Sequence, residues 1–297
     1  MFLPIEPATG RGSKGPKFES VNNEITVATY NIHVGIDAWG RRFDALDAIV
    51  SLDADVYILQ ECWTPEGEPG IASHVAAAIG GSFEEVTLAS GRRALPHPEA
   101  PPVWHRRKDF LHGDHSLYLD SKRALRERIA HSERFAHGES GTFSLAVVSR
   151  LPLSETRTVW LSSLPRDQVR RAILSTSVHV NNKSIRIFGT HMAHLSQGSP
   201  RHFRVIRQEI LASLREGSDV IVGGDMNAWG PLVAAHLRPL RRAVKAKTWP
   251  SWGPHSQVDH LLYSAGVGVL NGEVIPRLES DHLPVVAKFR LEGRGHN

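Results

Sequence analysis

At 297 residues, 41% of them hydrophobic and 22% charged, the chain is long enough to bury a substantial core and too apolar for extended disorder. Its one cysteine, Cys62, rules out an internal disulfide and a thiolate metal centre, and no apolar run approaches the roughly 20 residues of a membrane span. A formal net charge of +4 admits a polyanionic partner without demanding one. The expectation is therefore a protein of the reducing cytoplasm with no integral membrane association, and no protein partner is inferable. The stretch Met1–Lys17, rich in Gly, Pro and Lys, lacks the apolar segment and cleavage site of a secretory signal. Residues 1–22 read as a loose tail ahead of a single domain over 23–292.

In chain order, Ile25-Thr26-Val27-Ala28-Thr29-Tyr30 is β-branched and aromatic and predicts a strand ending at Asn31. Phe43, Leu46, Ile49 and Val50 then recur at helical spacing. The apolar run Val56-Tyr57-Ile58-Leu59 predicts a buried strand that ends at Gln60-Glu61. A second helix is expected at about Ile71–Ile79 and a strand at about Phe83–Leu88. From Gly91 to Gly138 the pattern breaks, with Pro96, Pro98, Pro101 and Pro102 among His and Arg, and only Ser121–Phe135 has the makings of a polar helix. Residues 91–140 carry ten Lys or Arg, seven Asp or Glu and six His, and read as a basic insertion without core-forming residues. Strands return at Leu145–Val148, Thr156–Leu161, Ala172–Val180 and Ile185–Phe188. The clearest helix follows, with Ser199 as N-cap, Pro200 in the first position and Gly217 closing it. Phe203, Ile206, Ile210 and Leu214 form its apolar face. Val220-Ile221-Val222 runs into Gly223-Gly224-Asp225, and Leu283–Phe289 follows Ser280-Asp281-His282. Strands interleaved with helices, several joined by hairpin-like turns, predict two packed sheets flanked by helices.

Several of these apolar strands end or begin in polar residues that a buried strand should avoid. They are Thr29-Tyr30-Asn31, Gln60-Glu61, Gly189-Thr190-His191, Gly224-Asp225-Met226-Asn227, Val258-Asp259-His260 and Ser280-Asp281-His282. Strand ends in layered α/β folds meet at one edge, so the six sets converge on one pocket. Glu61, Asp225 and Asp281 with Asn31 and Asn227 offer hard oxygen ligands and no sulfur, which suits Mg²⁺ or Mn²⁺. His191 and His282 can donate to a phosphate or exchange protons, and Asp259 is the best candidate to orient His282.

In their order, Thr29-Tyr30-Asn31-Ile32-His33, Leu59-Gln60-Glu61, Gly189-Thr190-His191, Gly224-Asp225-Met226-Asn227 and Ser280-Asp281-His282 resemble the motifs of the endonuclease/exonuclease/phosphatase superfamily. The resemblance spans about residues 25 to 290. It implies a four-layer α/β/β/α sandwich, a requirement for Mg²⁺ or Mn²⁺, and in-line hydrolysis of phosphoesters. Position by position, it implies that Glu61 holds the metal, with Asn31 beside it and Asp281 close by or through water. Asp225 and Asn227 would position the attacking water and the phosphate. His282 would contact the scissile phosphate with Asp259 behind it, and His191 would face a phosphate oxygen or the leaving group. Either Asp225 or His282 removes the water's proton. Arg171 matches a position where the family often places a basic residue near the substrate. Two departures stand out. Thr142-Phe143-Ser144-Leu145 precedes Ser149-Arg150 where the family commonly has Gly-Asn, and His33 stands where some DNA-repair members carry an acidic residue.

Three functions compete: a phosphodiesterase acting on DNA or RNA, a phosphoesterase for a lipid head group or small phosphorylated metabolite, and a non-catalytic binding module. The complete acidic and histidine set argues against the last, because an idle site has no reason to hold like charges together. The basic stretches, including Arg238, Arg241, Arg242, Lys245 and Lys247 and the Arg106-Arg107-Lys108 run, favour the first. His105, His112 and His115 read as solvated side chains, Cys62 as a small apolar one, and Trp249 and Trp252 as packed beneath a loop.

Overall fold

The structure, a computed structural model, describes residues 23–37, 42–95, 137–164, 167, 169–194, 200–276 and 279–292. The tail, the Ser199 cap, the expected helix at Ser121–Phe135, the Arg106-Arg107-Lys108 run and His105, His112 and His115 lie outside the described residues. Strands β1 (Glu24–Asn31), β2 (Val56–Pro65), β3 (Ser82–Leu95), β4 (His137–Ser149), β11 (Val267–Val274) and β12 (Val285–Leu291) form one sheet, in the order β11-β12-β1-β2-β4-β3. Strands β5 (Leu153–Trp160), β6 (Ala172–Val180), β7 (Lys183–His191), β8 (Asp219–Asp225), β9 (Arg241–Arg242) and β10 (Asp259–Tyr263) form the other, in the order β5-β6-β7-β8-β10-β9. Both are mixed, with β1–β2 and β7–β8 parallel and the other pairs antiparallel.

Alternation of side chains along each strand builds three cores. Ile25, Val27, Ile58, Leu145 and Val147 of the first sheet meet Leu174, Ile185, Ile187, Ile221 and Leu261 of the second. On the outer face of the first sheet, Tyr30, Tyr57 and Leu59 pack under helices α1 (Ala45–Val50) and α2 (Ile71–Ile79). Phe188, Val220 and Val222 of the second sheet pack under α3 (Pro200–Arg215), through Phe203, Ile206 and Ile210, and under α4 (Gly230–His236), through Val233. The result is the expected four-layer α/β/β/α sandwich. No helix among the described residues is long and apolar enough to cross a membrane.

Three expectations change. The strand expected to stop at Gln60-Glu61 runs on to Pro65, because a bulge absorbs one extra residue: Leu59 pairs with Ala146 but Cys62 with Ser144. Glu61, inside that bulge, takes φ +56°, and such bulges re-aim a side chain without ending the strand. The hairpin of β3 and β4 also extends into the stretch read as loop, pairing as far as Leu95 with His137. Finally, β9, β11 and α4 were not expected from the sequence.

Close packing beside the site depends on glycine. Gly224 has φ +146°, and a Cβ there would sit 1.9 Å from the Thr190 carbonyl oxygen on β7. No side chain fits without parting the two strands. Gly224→Ala is expected to cost about 2 kcal/mol or more, from backbone strain and overpacking together. A urea midpoint unchanged from wild type would refute this.

Candidate active site

The register of the strands delivers the polar groups to one edge. Asp225 at the end of β8 aligns with His191 on β7 and with Asp259 on β10, while Asn31 at the end of β1 aligns with Gln60 on β2. Gln60 itself stays inside, exchanging hydrogen bonds with Thr29, and leaves the next residue, Glu61, to reach the edge. Asn31 joins the two sheets: its Nδ2 donates to Glu61 Oε1 at 3.2 Å and to Asp225 Oδ2 at 3.1 Å, and its Oδ1 accepts from the His33 backbone N–H. The Ser280 hydroxyl donates to the Asn31 carbonyl at 2.7 Å and accepts from the His282 N–H, so the Ser-Asp-His loop is tied to the end of β1.

Two histidines complete the group. His282 Nδ1 faces both oxygens of Asp259, at 2.9 and 3.1 Å, and its Nε2 lies 3.8 Å from Asp225 Oδ2. His191 Nε2 lies 3.6 Å from Asp225 Oδ2 and 3.8 Å from Glu61 Oε1. All nine residues expected from the sequence occupy this edge or its border, with Arg171 and Asp281 at the border. Asp281 accepts from Trp249 Nε1 at 3.3 Å and stands 3.7 Å from His33 Nδ1. Asn227, at φ +46°, donates its N–H to Asp225 Oδ1 at 2.8 Å and its Nδ2 to the Met192 carbonyl at 2.9 Å.

Burial sets the electrostatics. It pushes the Asp225 carboxyl up to about 7; the negative charge of Asp259 adds to this, while His282 and the hydrogen bonds from Asn227 and Asn31 oppose it. Burial works the other way on His282, but Asp259, Asp281 and Asp225 outweigh it and raise the imidazole well above its ordinary value. His191 is held well below its ordinary value, by burial first and then by the positive charges of Arg171 and His282. At neutral pH the pair is one imidazolium, His282, and one neutral ring, His191.

Among the described residues, none of Glu61, Asp225, Asp259 and Asp281 has a Lys or Arg within ion-pair distance; their only such partners are histidines. Four carboxyl groups with so little compensation suit a bound cation. Ligating atoms of Asp225, Asp259 and His282 lie within 4.8 Å of one another. That trio is a poor cage, however, because the His282–Asp259 contact already commits Nδ1 and both carboxylate oxygens. The all-oxygen group around Glu61 fits a hard divalent ion better.

Sequence reasoning missed several participants. Asp167 clamps Arg171, accepting from Nε at 2.7 Å and from Nη2 at 3.3 Å, and the third nitrogen, Nη1, is buried with no hydrogen-bond partner among the described residues. An Asp four residues before an Arg in a loop has no signal of its own. Phe143 packs against His191 with ring centroids 6.0 Å apart, in the segment that departs from the usual pattern. Trp249, expected as packing, supplies the hydrogen bond to Asp281.

His260, next to Asp259, is fully buried, and its Nε2–H donates to the Ala228 carbonyl at 2.9 Å. Burial pushes its pKa down from 6.5 to about 4, against the opposing pull of that carbonyl and of Asp259. A depressed imidazole means that the folded state takes up this proton less readily than the unfolded chain. Its contribution is therefore intact above pH 6.5 and is lost as pH falls toward 4. By pH 5 the loss is about 2 kcal/mol. His260→Gln should flatten the decline of the urea midpoint between pH 7 and 5, and equal slopes in the two proteins would refute the assignment.

The family model described as Endonuclease/Exonuclease/phosphatase family matches residues 28–282. No curated protein matches the chain. Among solved structures, an endonuclease/exonuclease/phosphatase from Beutenbergia cavernae DSM 12333 is similar at 20% identity and a TM-score of 0.54, covering 91% of this chain and 72% of that one. A mannosyl-6-phosphatase from Bacteroides thetaiotaomicron VPI-5482 matches at 14% identity and a TM-score of 0.56, covering 89% and 99%. The human Nocturnin catalytic domain, with bound sulfate, matches at 17% identity and a TM-score of 0.54, covering 90% and 94%. At these identities the likenesses establish a shared fold.

Proposed function

The chain belongs to the endonuclease/exonuclease/phosphatase family of phosphoesterases, and on that premise we propose that it hydrolyses a phosphodiester bond by direct attack of water, with Mg²⁺ or Mn²⁺ held at Glu61. The observation that carries this reading is the Asp259–His282 pair, whose free Nε2 faces Asp225 across 3.8 Å beside the Asn31–Glu61 contact. Glu61 would hold the ion, with Asn31 beside it and Asp281 close by. When bound, such an ion lowers the pKa of water and offsets charge on the phosphoryl oxygens.

The chain's own groups divide the remaining work. Asp225, at about 7, accepts a proton near neutral pH, and Asn227 and Asn31 fix the directions of its two oxygens. His282, charged and oriented by Asp259, donates to the phosphoryl oxygen as negative charge builds there. His191, neutral, faces a phosphate oxygen or the leaving group. Arg171, pinned by Asp167 and near enough to His191 to lower its pKa, would supply positive charge to the substrate.

The substrate reading leans to nucleic acid, supported by the basic stretches of the sequence. A small phosphorylated metabolite is the alternative, since the fold is shared with the Bacteroides thetaiotaomicron mannosyl-6-phosphatase. Profiling the purified protein with Mg²⁺ against single-stranded DNA, RNA, plasmid, sphingomyelin and a chromogenic phosphodiester tests both. Turnover of none of them with either ion would overturn the proposal.

A further inference from the structure

One register row crosses the second sheet at the catalytic edge. Trp160 pairs with Ala172, Ile173 with Thr190, and His191 with Asp225, so Trp160, Ala172, His191 and Asp225 follow one another across β5, β6, β7 and β8. Three strand spacings place Trp160 about 14 Å from Asp225. Ala172 belongs to the core between the sheets, while Ile173 packs under α3. Trp160, directly opposite Ala172, is therefore on the side where His191 meets Glu61. Yet it is 38% exposed, and the Arg170 guanidinium lies 3.9 Å from its ring centroid. Arg170 is exposed and has no ion-pair partner among the described residues.

The other flank has a counterpart. Trp229, two residues past Asn227, is 64% exposed. The adjacent Gly230 lies so close to Arg242 that a Cβ would sit 1.7 Å from Nη1, and that nitrogen donates to Gln257 Oε1 at 2.8 Å. Gln257 in turn precedes Asp259 by two residues. A single exposed aromatic residue needs no explanation. Two of them beside a phosphoester centre, Trp160 under the Arg170 guanidinium on the β5 side of β8 and Trp229 past the end of β8, where its neighbour Gly230 abuts Arg242 of β9 on the opposite side, call for a substrate that extends both ways.

A small monoester held at Asp225 is too short to reach Trp160. A lipid surface would want the aromatic groups gathered in one patch, and here they are separated by the catalytic groups. Unpaired bases fit, because they stack on indole and guanidinium planes while the backbone phosphates meet the positive charge. In a duplex those faces are already stacked on neighbouring bases. Resting on the phosphodiesterase reading above, we propose that the Trp160–Arg170 stack and Trp229 are stacking subsites for bases of a single nucleic-acid strand whose scissile phosphate lies between them.

The test compares wild type with Trp160→Ala, Trp160→Phe, Arg170→Ala and Trp229→Ala on a twelve-nucleotide oligothymidylate and on a chromogenic phosphodiester. Each change to Ala should lower the ratio of oligonucleotide to small-ester kcat/KM about tenfold or more, through KM, and Trp160→Phe should restore most of it. An unchanged ratio, equal losses on both substrates, or a Phe variant as impaired as the Ala variant would overturn the proposal. So would tighter binding to anionic vesicles than to oligothymidylate that is lost in the same variants. Anisotropy of a labelled phosphorothioate strand measures binding without turnover. If wild type cleaves neither substrate, the phosphodiesterase reading fails, and the anisotropy still decides the stacking subsites by the same variants.

Discussion

Glu61→Gln is expected to lower turnover by on the order of 10³ or more at saturating Mg²⁺ while leaving the fold intact. The replacement keeps the length and the hydrogen-bonding capacity of the side chain, and Asn31 can still contact it through its 3.2 Å hydrogen-bond position. What it removes is the one formal charge that the bulge of β2 presents to the edge at φ +56°. A second readout separates loss of metal from loss of chemistry. A ligand that binds only the native state raises the melting temperature in proportion to the logarithm of its concentration. Mg²⁺ or Mn²⁺ should therefore stabilise wild type, chelation should reverse this and abolish turnover, and Glu61→Gln should show a much smaller shift. Wild-type activity of the variant in excess chelator would sink the metal assignment.

The parts of this site that could be read in the sequence share one physical cause. A carboxylate or imidazole at the end of a Val/Ile run is costly to bury, so Asp225 after Val220-Ile221-Val222 and His191 after Ile185–Phe188 are conspicuous. The long amphipathic helix that became α3 and the buried strands were legible for the same reason, since burial imposes periodicity. Elements that bury little were not. Strand β11 is mostly exposed or half-buried at the sheet margin, and α4 has only seven residues, beginning Gly-Pro. The bulge at Glu61 left no mark, because Gln60-Glu61-Cys62-Trp63 alternates no more oddly than a strand end does. Asp167 and Trp249 act across loops, and their partners, Arg171 and Asp281, are chosen by folding and not by spacing.

His282→Ala should lower kcat by on the order of 10² or more, because it deletes a charged donor from a largely buried site. Asp259→Asn should cost less, since the ring remains, but it carries a distinct signature in pH. Burial alone would hold the His282 imidazole below its ordinary value, and Asp259 is the foremost of the carboxylates that raise it. Asn cannot supply that charge, so the ring should lose its proton at lower pH in the variant. If His282 works as the protonated donor, activity falls as pH rises through its pKa, and Asp259→Asn should move that alkaline limb to lower pH. If His282 were instead the base that takes the water's proton, the same shift would appear on the acid limb, and the acid–base roles assigned to Asp225 and His282 would be exchanged. The profiles should be taken as kcat against pH at saturating metal, with wild type and the Asp259 variant side by side. Near wild-type kcat in His282→Ala would remove His282 from the chemistry altogether, leaving its 2.9 Å contact with Asp259 a matter of structure alone.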